Sequence, residues 1–174
     1  VIKYAKRLNK PSIIDVGTGT GAIAIALSKE LNLPVYASDV SSSALEVARK
    51  NVEKTDSKVS LLLGDMLKPY IDKNIKVDIL VSNPPYIRED EKIEKIVKDN
   101  EPKIALYAPN NGLFYYEEIL KDAKKVLNDK FLIAFEIGEK QGEDVKELAH
   151  KYLKDVKVEI KKDLSDKNRF VFVY

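Results

Sequence analysis

Short apolar runs of β character alternate with segments of helical period along the whole chain. Ile2, Ala5 and Leu8 share one helical face with Lys3, Lys6 and Arg7 opposite, which predicts that residues 1–10 are the last turns of an amphipathic helix and that the chain begins inside an element. Pro11-Ser12-Ile13-Ile14-Asp15-Val16 predicts a strand and Ala22 to Glu30 a helix. Pro34-Val35-Tyr36-Ala37-Ser38-Asp39 predicts a second strand, and Ser43 to Lys54, with Leu45, Ala48 and Val52 on one face, a second helix. Strands follow at Val59-Ser60-Leu61-Leu62-Leu63 and Val77-Asp78-Ile79-Leu80-Val81-Ser82.

A charged connection then runs from Ile87 to Gly112, with room for a short helix between Arg88 and Asn100. A connection this long inside a compact domain is usually functional. It leads into a helix expected over Leu113 to Leu127, with Ile119, Leu120, Ala123 and Leu127 facing inward. Phe131 to Ile137 is apolar almost throughout, the pattern of a strand covered on both faces. A helix over Gln141 to Leu153 follows, and Val156 to Ile160 alternates like a strand nearer an edge. The turn Asp163 to Asn168 brings Arg169–Tyr174 back against it as an antiparallel partner. Strands alternating with helices predict one α/β domain with a mostly parallel sheet.

Polar chemistry collects where these strands end, and in open α/β sheets ligands bind outside the carboxyl ends of the strands. After the first strand comes Gly17-Thr18-Gly19-Thr20-Gly21. Without Cβ atoms such a backbone can turn tightly, approach a ligand and aim the N–H groups of the helix start at negative charge. Asp15 stands where its carboxylate could receive a ligand's ammonium or brace the loop. Asp39 ends the second strand about twenty residues after the glycines, the spacing of a ribose-binding acid. The serines 41 to 43 offer helix caps of their own, which leaves Asp39 for a ligand. Gly64-Asp65-Met66 ends the third strand, and Asn83-Pro84-Pro85-Tyr86 the fourth. Two prolines cannot continue a ladder, because each lacks an N–H and fixes its own φ. They therefore stop the strand and hold the Asn83 carboxamide and the Pro84 carbonyl stiffly, as two acceptors beside an aromatic ring. The glycines with Asp39 also satisfy a dinucleotide fingerprint, so a dehydrogenase is an open reading at this point.

Composition narrows the field. The chain has 174 residues, 44% hydrophobic and 33% charged, as expected of a soluble globular domain. Its 30 Lys+Arg against 28 Asp+Glu leave a net charge of +2, which argues against a dedicated nucleic-acid binder. No apolar stretch is long enough to cross a bilayer and no signal-peptide organisation opens the chain, so no membrane partner and a cytoplasmic location are expected. With no Cys and one His, disulfides, thiolate or His-rich metal sites and a Ser-His-Asp triad are excluded, and no metal is expected. His150 lies among polar neighbours on a helix and reads as a surface residue.

Taken together, Asp15-Val16-Gly17-Thr18-Gly19-Thr20-Gly21, Asp39, Gly64-Asp65-Met66 and Asn83-Pro84-Pro85-Tyr86 resemble class I S-adenosylmethionine-dependent methyltransferases that methylate amino groups. Glu101-Pro102, Ala105-Leu106, Asn111-Gly112-Leu113 with Tyr116, Glu136-Ile137-Gly138 with Gln141, and Asp163 with Arg169 bring the resemblance to the release-factor glutamine methyltransferase family. The resemblance implies a Rossmann-like class I fold, with a mostly parallel seven-stranded sheet, helices on both faces and an antiparallel last strand. It implies S-adenosylmethionine as cofactor, held by Asp15, Gly17, Thr18, Gly19, Gly21, Asp39, Val40, Asp65, Met66 and Asn83. Catalysis would fall to Asn83, Pro84 and Tyr86, and substrate contact to Asn83, Pro84, Pro85, Tyr86 and Glu101. The implied substrate is the glutamine of the Gly-Gly-Gln motif in peptide chain release factors. Members also carry an amino-terminal helical domain and a Pro-Arg-rich segment that these 174 residues do not contain, and a glycine is expected where Asp166 stands. Methylation of an exocyclic adenine nitrogen in DNA or RNA uses similar acceptors and is the rival activity. A non-catalytic cofactor-binding partner subunit is the rival outside enzymology.

Overall fold

Both faces of the central strands are apolar, and both are covered. The computed structural model describes residues 1–88 and 107–174. Its strands are β1 (Ile13–Val16), β2 (Val35–Asp39), β3 (Val59–Leu63), β4 (Val77–Ser82), β5 (Leu127–Glu136), β6 (Val158–Lys162) and β7 (Asn168–Val173), in the sheet order β3-β2-β1-β4-β5-β7-β6. Neighbours from β3 to β5 run parallel, while β7 is antiparallel to both β5 and β6. This is the expected mostly parallel seven-stranded sheet with an antiparallel last strand. The described helices are α1 (Ile2–Ala5), α2 (Ala22–Leu31), α3 (Ser42–Thr55), α4 (Lys68–Asp72), α5 (Pro109–Gly112), α6 (Phe114–Asp122) and α7 (Gly142–Tyr152).

Alternate strand residues serve opposite layers, as the period of a strand requires. Ile14, Val16, Leu80, Ile133, Phe135 and Val171 pack with Tyr116, Ile119 and Leu120 of α6 and Val145 and Ala149 of α7. Ile13, Ile79, Val81, Leu132 and Ala134 pack on the other side with Ala5, Ala24 and Leu27. Burial contributes about 1.5–3 kcal/mol for each such Leu, Ile or Phe side chain. The ends of β1 and β4 therefore sit on the most heavily buried part of the scaffold.

Register then determines which polar groups meet. Val16 pairs with Ser38 on one side and with Ser82 on the other, Asp39 pairs with Leu63, and Ser82 pairs with Phe135. The glycine loop, Asp39, Gly64-Asp65 and Asn83 thus leave the sheet side by side. Sheet order reverses between β1 and β4, which is the switch point where such sheets open a crevice.

Five elements differ from the sequence pattern, among them β5, which starts at Leu127 rather than Phe131. The first helix stops at Ala5, and Lys10, at φ +52° ahead of Pro11, is barred from the helix expected over residues 1–10. The helix expected over Leu113–Leu127 ends at Asp122, followed by a 3-10 turn at Ala123–Lys125 that lets β5 start at Leu127. Helix α4 stands where no element was expected, and β6 begins at Val158 rather than Val156. Glu101, Pro102, Ala105, Leu106 and the short helix expected after Arg88 lie outside the described residues.

Candidate active site

The loop between β1 and α2 is built around Asp15. That side chain is fully buried, and its Oδ2 accepts from Thr18 Oγ1 at 2.6 Å and from the Ala24 N–H at 3.1 Å. These two bonds brace the loop, while Oδ1 is buried without a hydrogen-bond partner. Burial pushes its carboxyl up to about 6, against the opposing pull of those two hydrogen bonds, and the charge of Asp39 adds to the rise. Thr18 is tied again through its N–H to the Ser38 carbonyl at 2.9 Å. Gly17 and Gly19 have φ of +70° and +56°, and a Cβ added at either would meet nothing within 4 Å. Glycine is needed there for the left-handed backbone, and the space beside it is open for a ligand to approach the chain.

Asp39 works in two directions. Its Oδ2 accepts from the Gly19 N–H at 2.8 Å and its Oδ1 from the Ser41 N–H at 2.9 Å. Ser41 caps α3 through Ala44 N at 3.2 Å, so Asp39 is spared the cap but is already engaged by two backbone donors. A carboxylate oxygen can accept more than one hydrogen bond, so both Asp39 oxygens keep acceptor capacity. The Gly64 N–H reaches the Asp39 carbonyl at 3.0 Å and carries Asp65 and Met66 to the same edge. Partial burial, and after it the charge of Asp65, raises the pKa of Tyr115 on α6.

The acceptor turn grows from β4. Ser82 Oγ donates to the Val16 carbonyl at 2.7 Å, which locks this strand end to the start of the glycine loop. Asn83 is exposed, Pro84 is buried, and Pro85 and Tyr86 are half-buried. Beyond Tyr86, Ile87 and Tyr107 form a parallel bridge, and the Ala108 N–H reaches the Ile87 carbonyl at 2.9 Å, so the two ends of the long connection meet beside the turn.

A cavity of about 410 Å³ lies over these strand ends, within the size range of small-molecule sites. Gly17, Gly19, Asp39, Val40, Asp65, Met66, Asn83, Pro84 and Pro85 all line it. Asp15, Thr18 and Gly21 are not among its lining residues; Asp15 and Thr18 are buried and hydrogen-bonded to each other. Tyr86 instead faces a neighbouring cavity of about 650 Å³ with Arg88, Gln141 and Arg169. Asn83 also borders a third cavity, of about 280 Å³, shared with Glu136, Phe170 and Phe172. Sequence reasoning missed Ser43, Ala44, Tyr115 and Ile119 in the main cavity. The two serine-helix residues were legible as neighbours of Asp39, whereas nothing in the spacing points to Tyr115. Among the described residues no cluster of three or more His, Asp or Glu is placed to hold a metal ion, and no helix is long and apolar enough to cross a membrane.

The chain resembles known proteins across this whole site. The family described as "Methyltransferase small domain" matches residues 3–103. A release factor glutamine methyltransferase of Bacillus subtilis (strain 168) is 44% identical over 165 residues, covering 93% of this chain and 57% of that protein. One of Streptococcus pneumoniae (strain ATCC BAA-255 / R6) is 43% identical over 167 residues, covering 93% of this chain and 58% of the relative. The chain thus spans less than two thirds of the length of these curated relatives. Among solved structures, a methyltransferase from Pyrococcus furiosus superimposes with a TM-score of 0.72 at 21% identity, over 98% of this chain and 78% of that one, and it shares the fold. The seven-stranded, mostly parallel sheet with its surrounding helices matches the class I methyltransferase fold, and the chain belongs to the methyltransferase small domain family.

Proposed function

We propose that the protein transfers a methyl group from S-adenosylmethionine to the side-chain amide nitrogen of a protein glutamine, the one in the Gly-Gly-Gln motif of a peptide chain release factor. The observation that carries this reading is one cavity lined by Asn83 and Pro84 together with Gly17, Gly19, Asp39 and Asp65. The likeness to the bacterial release factor glutamine methyltransferases supports the choice of substrate.

The cavity fits the cofactor by the chemistry of its walls. Open space beside Gly17 and Gly19 suits the methionine part, the spare lone pairs of Asp39 suit the ribose hydroxyls, and Asp65 with the Met66 backbone suits an adenine amine. Bound there, S-adenosylmethionine supplies an electrophilic methyl carbon whose sulfur leaves as a neutral thioether. The residues of the chain supply position. A glutamine amide nitrogen is a weak nucleophile, because its lone pair is delocalised into the carbonyl. Asn83 Oδ1 and the Pro84 carbonyl each accept one amide hydrogen, which turns the nitrogen toward the cavity and favours its pyramidal form as the new N–C bond forms. The displaced amide proton passes to water once the nitrogen is methylated. Orientation of this sort supplies several kcal/mol without a general base. Tyr86, turned to the neighbouring cavity, provides a flat surface for the planar amide or the adjoining peptide.

The test is methyl incorporation from labelled S-adenosylmethionine into a release factor, into the same factor with its Gly-Gly-Gln glutamine replaced by alanine, and into DNA and RNA. Label on the first alone is the expected result, and label on nucleic acid would overturn the reading.

A further inference from the structure

Gln141 lies outside the cofactor cavity and yet every polar group of its side chain is directed at the backbone around the acceptor turn. Its Nε2 donates to the Tyr86 carbonyl at 3.0 Å and to the Asn111 carbonyl at 3.4 Å, and its Oε1 accepts from the Gly138 N–H at 2.9 Å. The side chain thereby joins three segments distant in sequence: the end of the Asn83-Pro84-Pro85-Tyr86 turn, the α5 turn and the loop after β5. Only 8% of Gln141 is exposed, and its three bonds are partly buried at the wall of the cavity of about 650 Å³.

The surroundings are shaped to admit it. A Cβ on Gly112 would stand 2.2 Å from the Tyr86 carbonyl oxygen and 2.5 Å from Gln141 Nε2. A Cβ on Gly138 would stand 2.9 Å from Gln141 Oε1. Both glycines leave room that the carboxamide fills.

We infer that Gln141 is a positioning residue for methyl transfer, acting through the Tyr86 carbonyl to hold the Asn83-Pro84-Pro85-Tyr86 turn in register with the cofactor cavity. Ser82 anchors the start of that turn on Val16, and Gln141 anchors its end on the loop after β5, at the N-cap of α7. Between the two anchors stand Pro84 and Pro85, whose φ angles are fixed by their rings, so a shift of the Tyr86 carbonyl passes to Asn83 and Pro84 with little slack. Gln141 touches neither cofactor nor reacting nitrogen. The inference rests on the acceptor role proposed above for Asn83 and Pro84.

The experiment compares the wild type with Gln141→Leu and Gln141→Glu for melting temperature, S-adenosylmethionine affinity by calorimetry, and single-turnover methylation of a Gly-Gly-Gln peptide across pH. Cofactor affinity is expected to stay within a few-fold in both variants. Transfer by Gln141→Leu is expected to fall about ten- to a hundred-fold at every pH, the scale of a small misplacement of reacting groups. In Gln141→Glu the ionised carboxylate opposes two carbonyl oxygens, whereas the protonated acid can donate to Tyr86. Its rate relative to wild type is therefore expected to rise as pH is lowered, and a purely structural residue would not produce that profile. Unchanged turnover in both variants, a pH-independent loss in Gln141→Glu, or a loss matched by weakened cofactor binding would overturn the inference. A wild type that binds the cofactor without methylating the peptide overturns the proposed function instead. The clamp is then decided by the side-chain amide resonances of Asn83, which must move in Gln141→Leu and return toward wild-type positions in acidified Gln141→Glu. Resonances unmoved by Gln141→Leu would overturn the clamp.

Discussion

Asp39 Oδ2 receives the Gly19 backbone N–H at 2.8 Å, so the end of β2 and the glycine loop after β1 are tied together by the same carboxylate that faces the cavity. The loop is thereby held for the cofactor before it arrives. Replacing Asp39 by Ala removes this bond and the acceptor proposed for the ribose. Hydrogen bonds to a charged group contribute about 1.5–3 kcal/mol. Cofactor affinity is therefore expected to weaken by about ten- to a hundred-fold, read by calorimetry. An unchanged dissociation constant would remove Asp39 from the site.

Asp15 gives the protein an unusual pH dependence. Its folded-state carboxyl is raised from 3.8 to about 6, so between those values the folded protein keeps a proton that the unfolded chain has released. Stability from this group is present in full below the lower value and is lost as pH rises through the upper one, by up to about 3 kcal/mol. Asp15→Asn keeps an oxygen for Thr18 and Ala24 but cannot ionise. Denaturant unfolding from pH 4 to pH 7 is expected to show the wild type losing stability relative to Asp15→Asn as pH rises. Parallel curves would rule out this assignment.

Gly112 takes φ +82° directly against the Tyr86 carbonyl. An alanine there meets both a strained backbone and a collision that only displacement of the turn relieves. Gly112→Ala is expected to lower stability by about 1–3 kcal/mol and to depress methyl transfer more than cofactor binding. Equal losses of binding and transfer would show that the disturbance is not confined to the acceptor turn.

Much of this was legible because strand ends are marked in sequence. Asp39, Asp65 and Asn83 each follow an apolar run, and the sheet register sets them side by side in one cavity. Where one residue of turn decides direction, the sequence was silent. Asp15 and Gly17 are neighbours in the motif, but one is buried behind the loop and the other lines the cavity, since alternation sends Asp15 into the interior. Tyr115 enters from a helix more than thirty residues beyond Asn83, and only the packing of α6 against the sheet brings it to Asp65. Gln141 was visible as part of a pattern, while its three backbone partners are set by tertiary structure alone. The carboxyl-terminal boundary of α6 was missed because apolar periodicity continues from Leu113 into the first residue of β5 without a breaker.

The most direct test is to separate binding from transfer at Asn83. Asn83 is exposed at the end of β4, so its replacement by Ala leaves the core untouched. With S-adenosylmethionine bound to wild type and to Asn83→Ala, single-turnover methylation of a Gly-Gly-Gln peptide is followed by mass spectrometry. The expected result is cofactor affinity within a few-fold of wild type and a methylation rate lowered by about a hundred-fold or more, the methyl group in the wild-type reaction residing on the glutamine amide nitrogen. Turnover by Asn83→Ala at the wild-type rate, or a methyl group found elsewhere on the peptide, would contradict the assignment of Asn83 as the acceptor of the amide hydrogen.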